Sequence, residues 1–167
     1  RAFHTLTLLP DGSVLATGGG QTRDGINYAN GVLEAELWSP VTETWTTMAP
    51  MQVPRLYHST ALLLPDGRVL VAGSGRFGPE PQFSAEIYSP PYLFKGPRPT
   101  ISSVPGTIRY DRGFFVETPD ASDVSAVSFV RMGSVTHAFH ADQRFLNLTF
   151  QPGSGGLNVQ APVNANL

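Results

Sequence analysis

Apolar and polar positions alternate in short runs on both sides of Pro10-Asp11-Gly12, and the same alternation flanks Pro65-Asp66-Gly67. A period of two broken by such a tripeptide predicts a β-hairpin, because proline presets φ and glycine accepts the positive φ of a tight turn. Beyond Pro99 further strand-like runs are predicted at 114–118, 124–132, 145–150 and 157–160, punctuated by Pro-Asp, Gly-Ser and Gly-Ser-Gly-Gly. Long stretches of strong helix formers are missing, so the pattern predicts an all-β chain.

The chain also matches itself. Arg1-Ala2-Phe3-His4-Thr5 returns as Arg55-Leu56-Tyr57-His58-Ser59, and Leu8-Leu9-Pro10-Asp11-Gly12 with Gly18-Gly19 returns as Leu63-Leu64-Pro65-Asp66-Gly67 with Gly73-Ser74. Ala35-Glu36-Leu37-Trp38-Ser39-Pro40 then returns as Ala85-Glu86-Ile87-Tyr88-Ser89-Pro90. Three blocks in one order, about 50 residues apart with several strands each, are the pattern of kelch-type β-propeller blades. The paired glycines would let backbones approach closely near the propeller axis, and Trp38 and Trp45 are expected to pack in the core between blades. A ring needs roughly 4 to 8 blades. Residues 1–90 supply about two, so the chain is expected to be a fragment or part of an assembly.

Pro90 to Pro99 reads as a linker, since each proline removes a backbone donor and argues against a helix or central strand. The short strands beyond it suggest an immunoglobulin-like sandwich. The expected organisation is therefore propeller blades over 1–90, a proline-rich linker over 91–99 and a sandwich over 100–167, with both domains incomplete.

Composition narrows the functional classes. Gly 17 and Pro 15 with only 14% charged residues favour many short strands. The net charge of -2, with scattered arginines and the single lysine Lys95, provides no basic stripe for a phosphate backbone, so no nucleic-acid partner is expected. No apolar run reaches the roughly 18–20 residues of a membrane span. The opening Arg1-Ala2-Phe3-His4 carries no signal-peptide pattern. The absence of cysteine rules out disulfides, zinc-thiolate sites and a cysteine nucleophile within these residues. Asn147-Leu148-Thr149 matches the glycosylation acceptor pattern and reads equally well as plain strand.

The chemistry-bearing candidates are few. His4 and His58 occupy equivalent points of the repeat, where a recurring histidine is commonly a satisfied polar group near a blade end. Tyr57 and His58 are neighbours, and neighbouring side chains on a regular strand point to opposite faces. For both to reach one metal, the backbone there must be irregular. His137 follows Gly133-Ser134-Val135-Thr136 between two strand-like runs, which places it on a loop. Tyrosine with two histidines suits copper(II), although zinc or iron would accept similar ligands.

Two segments resemble a known family. Arg55 to Val69 is similar to the last-blade segment of the galactose oxidase and glyoxal oxidase family, the copper-radical oxidases. Ser134-Val135-Thr136-His137, followed by Asp142-Gln143-Arg144, resembles the Thr-His and Asp-Gln-Arg signature of that family's C-terminal immunoglobulin-like, early-set domain. The resemblance includes Ser89-Pro90-Pro91-Tyr92-Leu93 at the joint, covers essentially the whole chain, and marks it as the family's C-terminal portion. It implies that Tyr57 is an axial copper ligand and the base that takes the substrate proton, with His58 and His137 as the histidine ligands. It also implies that Phe3 and His4 stand behind the ligands and that Tyr28 lies in an aromatic wall facing substrate. The relatives usually carry Asn at the position of His140, which points to an outer or surface role for that histidine. The implied reaction is the oxidation of a primary alcohol, aldehyde or carbohydrate by O₂, giving hydrogen peroxide. Its Cys-Tyr radical cofactor is expected from the missing N-terminal part, and secretion is implied by the same resemblance. A non-catalytic kelch propeller that binds glycans or proteins and keeps a vestigial metal site is the alternative, since folds host many functions. A purely structural repeat protein would need neither tyrosine nor histidine at these points.

Overall fold

The computed structural model describes residues 1–25, 27–75 and 82–166, and it is all-β apart from two short 3₁₀ turns. The chain forms two compact units: Arg1–Phe94 with Val130–Phe145, and Lys95–Phe129 with Leu146–Leu167. The loop over Val130–Phe145, inside the region expected to be a separate sandwich, thus groups with the first unit.

In the first unit, β1 (Ala2–Leu8), β2 (Val14–Gly20), β3 (Glu34–Ser39) and β4 (Thr44–Pro50) make a four-stranded antiparallel meander. The second repeat gives a three-stranded antiparallel sheet of β5 (Ser59–Leu63), β6 (Val69–Gly73) and β7 (Ala85–Tyr88). Neither sheet closes on itself among the described residues. The repeated Pro-Asp-Gly segments build the same turn twice. Gly12 (φ 81°) donates to Leu9 O and Gly67 (φ 85°) to Leu64 O, while Asp11 and Asp66 each accept a backbone N–H two residues on. One core serves both sheets, with Leu9, Leu15 and Ala35 from the first repeat buried alongside Ala61, Leu63, Val69 and Val71 from the second.

The repeat preserves an ion pair as well as a strand pattern. Arg1 Nη1 donates to Glu36 Oε2 at 2.7 Å, and Arg55 Nη2 donates to Glu86 Oε1 at 2.9 Å from the equivalent positions. The second pair lies deeper: the side chains of Arg55 and Glu86 are 0% and 23% exposed, against 9% and 39% for Arg1 and Glu36. The Arg55 guanidinium also donates to Gly73 O, Ser84 O and Ser84 Oγ. Its own carbonyl accepts from Gly19 N at 2.6 Å. That approach requires the neighbouring glycine: a Cβ on Gly18, which has φ 66°, would stand 2.6 Å from Arg55 O.

In the second unit, β8 (Gly113–Glu117), β11 (Phe150–Gly153) and β12 (Gly156–Gln160) form an antiparallel sheet in the order β11-β12-β8. Two further strands, β9 (Val127–Val130) and β10 (Phe145–Leu148), pair with each other. Val116, Leu148, Leu157 and Val159 form the buried centre, and Phe114 stacks on Phe129 at 5.7 Å. The predicted strand over 145–150 breaks into β10 and β11 at Thr149, and Asn147 is exposed on β10.

Two expectations need correction. The proline-rich segment, expected to hold no helix, contains a 3₁₀ turn at Pro91–Phe94, with Leu93 N donating to Pro90 O. A proline at the first position of such a turn gives up a donor that has no partner there anyway. Trp38 and Trp45 face each other across the β3–β4 hairpin, and Trp45 is 50% exposed rather than core. Its strand, β4, is the outermost of its sheet, so no further strand of that sheet covers it.

The buried pair should dominate local stability. Arg55→Met is expected to lower unfolding free energy by about 3–5 kcal/mol, because it leaves Glu86 and two carbonyls without their charged partner. Arg1→Met should cost about 1 kcal/mol or less, since water reaches Glu36. Denaturant midpoints of the two variants compared with wild type check the ordering.

Candidate metal centre

Residues 55–58 enter β5 through a tightly tied segment. Leu56 N donates to Ser74 Oγ at 2.7 Å, Tyr57 N to Gly25 O at 3.1 Å, and Gly75 N to Tyr57 O at 2.9 Å. His58 has φ 63°, the left-handed region that bulky side chains rarely adopt. The pleat alternation is broken there, and the rings of Tyr57 and His58 lie on one side with centroids 3.9 Å apart.

The third ring comes from the loop between β9 and β10. Thr136 and Phe139 exchange two backbone hydrogen bonds, at 3.0 and 2.7 Å, closing a turn whose central residues His137 (φ 53°) and Ala138 (φ 65°) are both left-handed. Positive φ at both central positions defines the tightest hairpin turn and normally selects Asn and Gly. Here it puts His137 at the tip. Its ring lies 4.7 Å from His58 and 5.9 Å from Tyr57, centroid to centroid. Both histidines are exposed and Tyr57 is half-buried.

Hydrogen bonding prepares the donor atoms. His58 Nδ1 lies 2.9 Å from Gly75 O, which can only accept, so Nδ1 carries the proton and Nε2 keeps its lone pair. His137 Nδ1 lies 2.7 Å from Thr136 Oγ1, a hydroxyl that can donate or accept, so this contact orients the ring and leaves Nε2 as its outward nitrogen without choosing the tautomer. An outer partner on one ring nitrogen is the usual support of a metal-bound imidazole. Two imidazole nitrogens and a phenol oxygen make a nitrogen-oxygen set that fits copper(II). Among the described residues no three His, Cys, Asp or Glu side chains gather into a cluster, so the tyrosine is what completes this one.

The other candidates divide. Phe3, with φ 58°, meets Tyr57 edge-on at 5.7 Å, and Gly25 lies close to both. Tyr28 begins a short 3₁₀ turn (Tyr28–Asn30), and its hydroxyl is 3.2 Å from Ser74 Oγ, the same oxygen that receives Leu56 N–H. It therefore reaches the segment through Ser74. Among the described residues His4 makes no ring contact with the cluster and its buried Nδ1 has no hydrogen-bond partner, while its Cβ faces Gly19. Burial, reinforced by the charge of Arg1, holds its pKa below the ordinary histidine value. His140 fills the space where a Gly133 side chain would stand, and burial lowers its pKa as well. Ser74 was not singled out by sequence, and Thr136 appeared only as the neighbour of His137 in the Thr-His run. Ser74 had a signal, because it replaces the second glycine of the repeated pair while keeping a positive φ of 131°.

Known proteins match this chain over its whole length. The family model described as Glyoxal oxidase N-terminus matches residues 1–92, and that described as Galactose oxidase-like, Early set domain matches 98–167. A galactose oxidase of Gibberella zeae is 34% identical over all of this chain and 26% of its own length. The aldehyde oxidase GLOX of Vitis pseudoreticulata is 35% identical over 91% of this chain and 32% of its own. The solved structure of a fungal alcohol oxidase in complex with copper superposes with a TM-score of 0.90 at 32% identity, covering 98% of this chain and 36% of that one. The chain thus spans about a quarter to a third of the length of these relatives. With a single family model taking in more than half of its residues, the chain belongs to the family of glyoxal oxidases and galactose oxidase-like proteins.

Proposed function

We propose that this chain is part of a secreted copper-radical oxidase and contributes three ligands, Tyr57, His58 and His137, to one copper ion. The observation that carries the reading is the convergence of those three rings within 3.9 to 5.9 Å, with both Nδ1 atoms already engaged. The Gibberella galactose oxidase and the Vitis aldehyde oxidase supply the reaction class, and the alcohol oxidase solved with copper supplies the metal. The repeated sheets are read as two kelch-type propeller blades.

Copper paired with an oxidised tyrosine outside this chain would supply the two-electron redox capacity. Overall, a primary alcohol loses two electrons and two protons to become an aldehyde, and O₂ gains them to become hydrogen peroxide. Within this chain, Tyr57 would be held by the metal as its phenolate and would take the hydroxyl proton of the substrate at that oxygen, becoming a neutral phenol. His58 is fixed in orientation and tautomer by Gly75 O, and His137 is fixed in orientation by Thr136. Phe3 packs edge-on against Tyr57 and limits where that ring can turn.

Three outcomes follow for the full-length protein. Hydrogen peroxide should form from primary alcohols or aldehydes only after copper loading, as followed by a coupled peroxidase assay; a copper-loaded protein that forms none would favour a binding module. His137→Ala should weaken copper binding by more than the roughly 10–100-fold that loss of an outer partner costs, whereas His140→Ala should change it little. Calorimetric titration with copper(II) checks this, and equal losses would refute the ligand assignment. Tyr57→Phe should keep copper through the histidines while turnover falls by about 10²–10⁴, the usual contribution of a positioned base. Steady-state kinetics on metal-quantified samples decides it, and unimpaired turnover would remove the proton-acceptor role.

A further inference from the structure

The turn that presents His137 is itself exposed, and its tip is strained at two successive residues. Something outside the turn must hold it. Six residues beyond the tip, the Gln143 side chain reaches the edge of the first sheet, where β1 is the outermost strand. Its Oε1 accepts from Leu8 N at 2.6 Å and its Nε2 donates to Leu6 O at 2.8 Å. Residues 6 and 8 present these groups on the same side of the strand, so the amide imitates one rung of an added β-strand. The same Nε2 donates to His140 O at 3.2 Å, and so ties the main chain three residues after His137 to that rung.

We propose that Gln143 is the positioning residue that sets His137 onto Tyr57 and His58, by clamping the 131–144 loop to the edge of β1. The clamp reaches both halves of the cluster, because β1 also carries Phe3, whose ring meets Tyr57. A glutamine suits the task. It offers an acceptor and a donor in one plane, matching the alternating N–H and C=O of an unpaired strand edge. A carboxylate has no donor for Leu6 O or His140 O, and an apolar side chain answers none of the three groups.

The role of His137 rests on the proposed function, so the test separates the two. In full-length protein, Gln143→Met keeps side-chain length and removes the polar groups; the bond to Leu6 O is exposed, so water can replace it and the fold should survive. Copper(II) affinity is expected to fall by about 10–100-fold, the range for losing an outer partner of a ligand. The copper(II) electron paramagnetic resonance spectrum should change with it, while the melting temperature stays near wild type. In the copper-free protein, amide exchange across 131–144 and at Leu8 should accelerate. Should the Met variant not fold, Gln143→Glu, which keeps only the acceptor for Leu8 N, is expected to show the same losses. Copper affinity within about twofold of wild type, with an unchanged spectrum, overturns the proposal. If wild type binds no copper, the proposed function falls, and the copper-free exchange measurement still decides the clamp: unchanged exchange overturns it, and accelerated exchange supports it.

Discussion

Arg55 is the fixed point of the first unit. Its guanidinium is buried against Glu86 and the carbonyls of Gly73 and Ser84, and its carbonyl accepts from Gly19, so one residue joins β2, β6 and the approach to β7. A buried arginine is tolerable only when nearly all its donors are answered, and the strand ends supply the acceptors. The consequence for the site is positional. Leu56, Tyr57 and His58 follow directly, and their backbone groups are tied in turn to Ser74, Gly25 and Gly75.

That anchoring explains how strain is sustained at the cluster. Phe3, His58, His137 and Ala138 all have positive φ, each costing of order 1–3 kcal/mol for a residue that carries a Cβ. Such conformations persist where surrounding bonds over-determine them, and they gather where side chains must be aimed against the regular pleat. Here they put the rings of Tyr57 and His58 side by side and carry His137 to the same place from 79 residues further along the chain.

Much of this could be read from the sequence, because it was encoded locally. The two Pro-Asp-Gly turns, the strands around them and the recurrence of Arg and Glu at matched positions are signals within one repeat. The need for an irregular backbone at Tyr57-His58 followed from strand geometry alone. What could not be read depends on distant parts of the chain. Trp45 looked like core because of its type, yet its strand is outermost in its sheet. Val130–Phe145 groups with a unit that ends, in sequence, at Phe94. Gln143 stood in a recognisable Asp-Gln-Arg run, but its work is done on Leu6 and Leu8, more than 130 residues earlier.

The proposed centre requires that Tyr57, His58 and His137 meet on one copper ion. A crystal of the full-length, copper-loaded protein, measured at the copper absorption edge, tests it most directly through the anomalous difference map. The expected result is one strong peak bonded to Tyr57 Oη and to Nε2 of both histidines. A peak elsewhere in the molecule, or one bonded to His58 with His137 turned away, would contradict it.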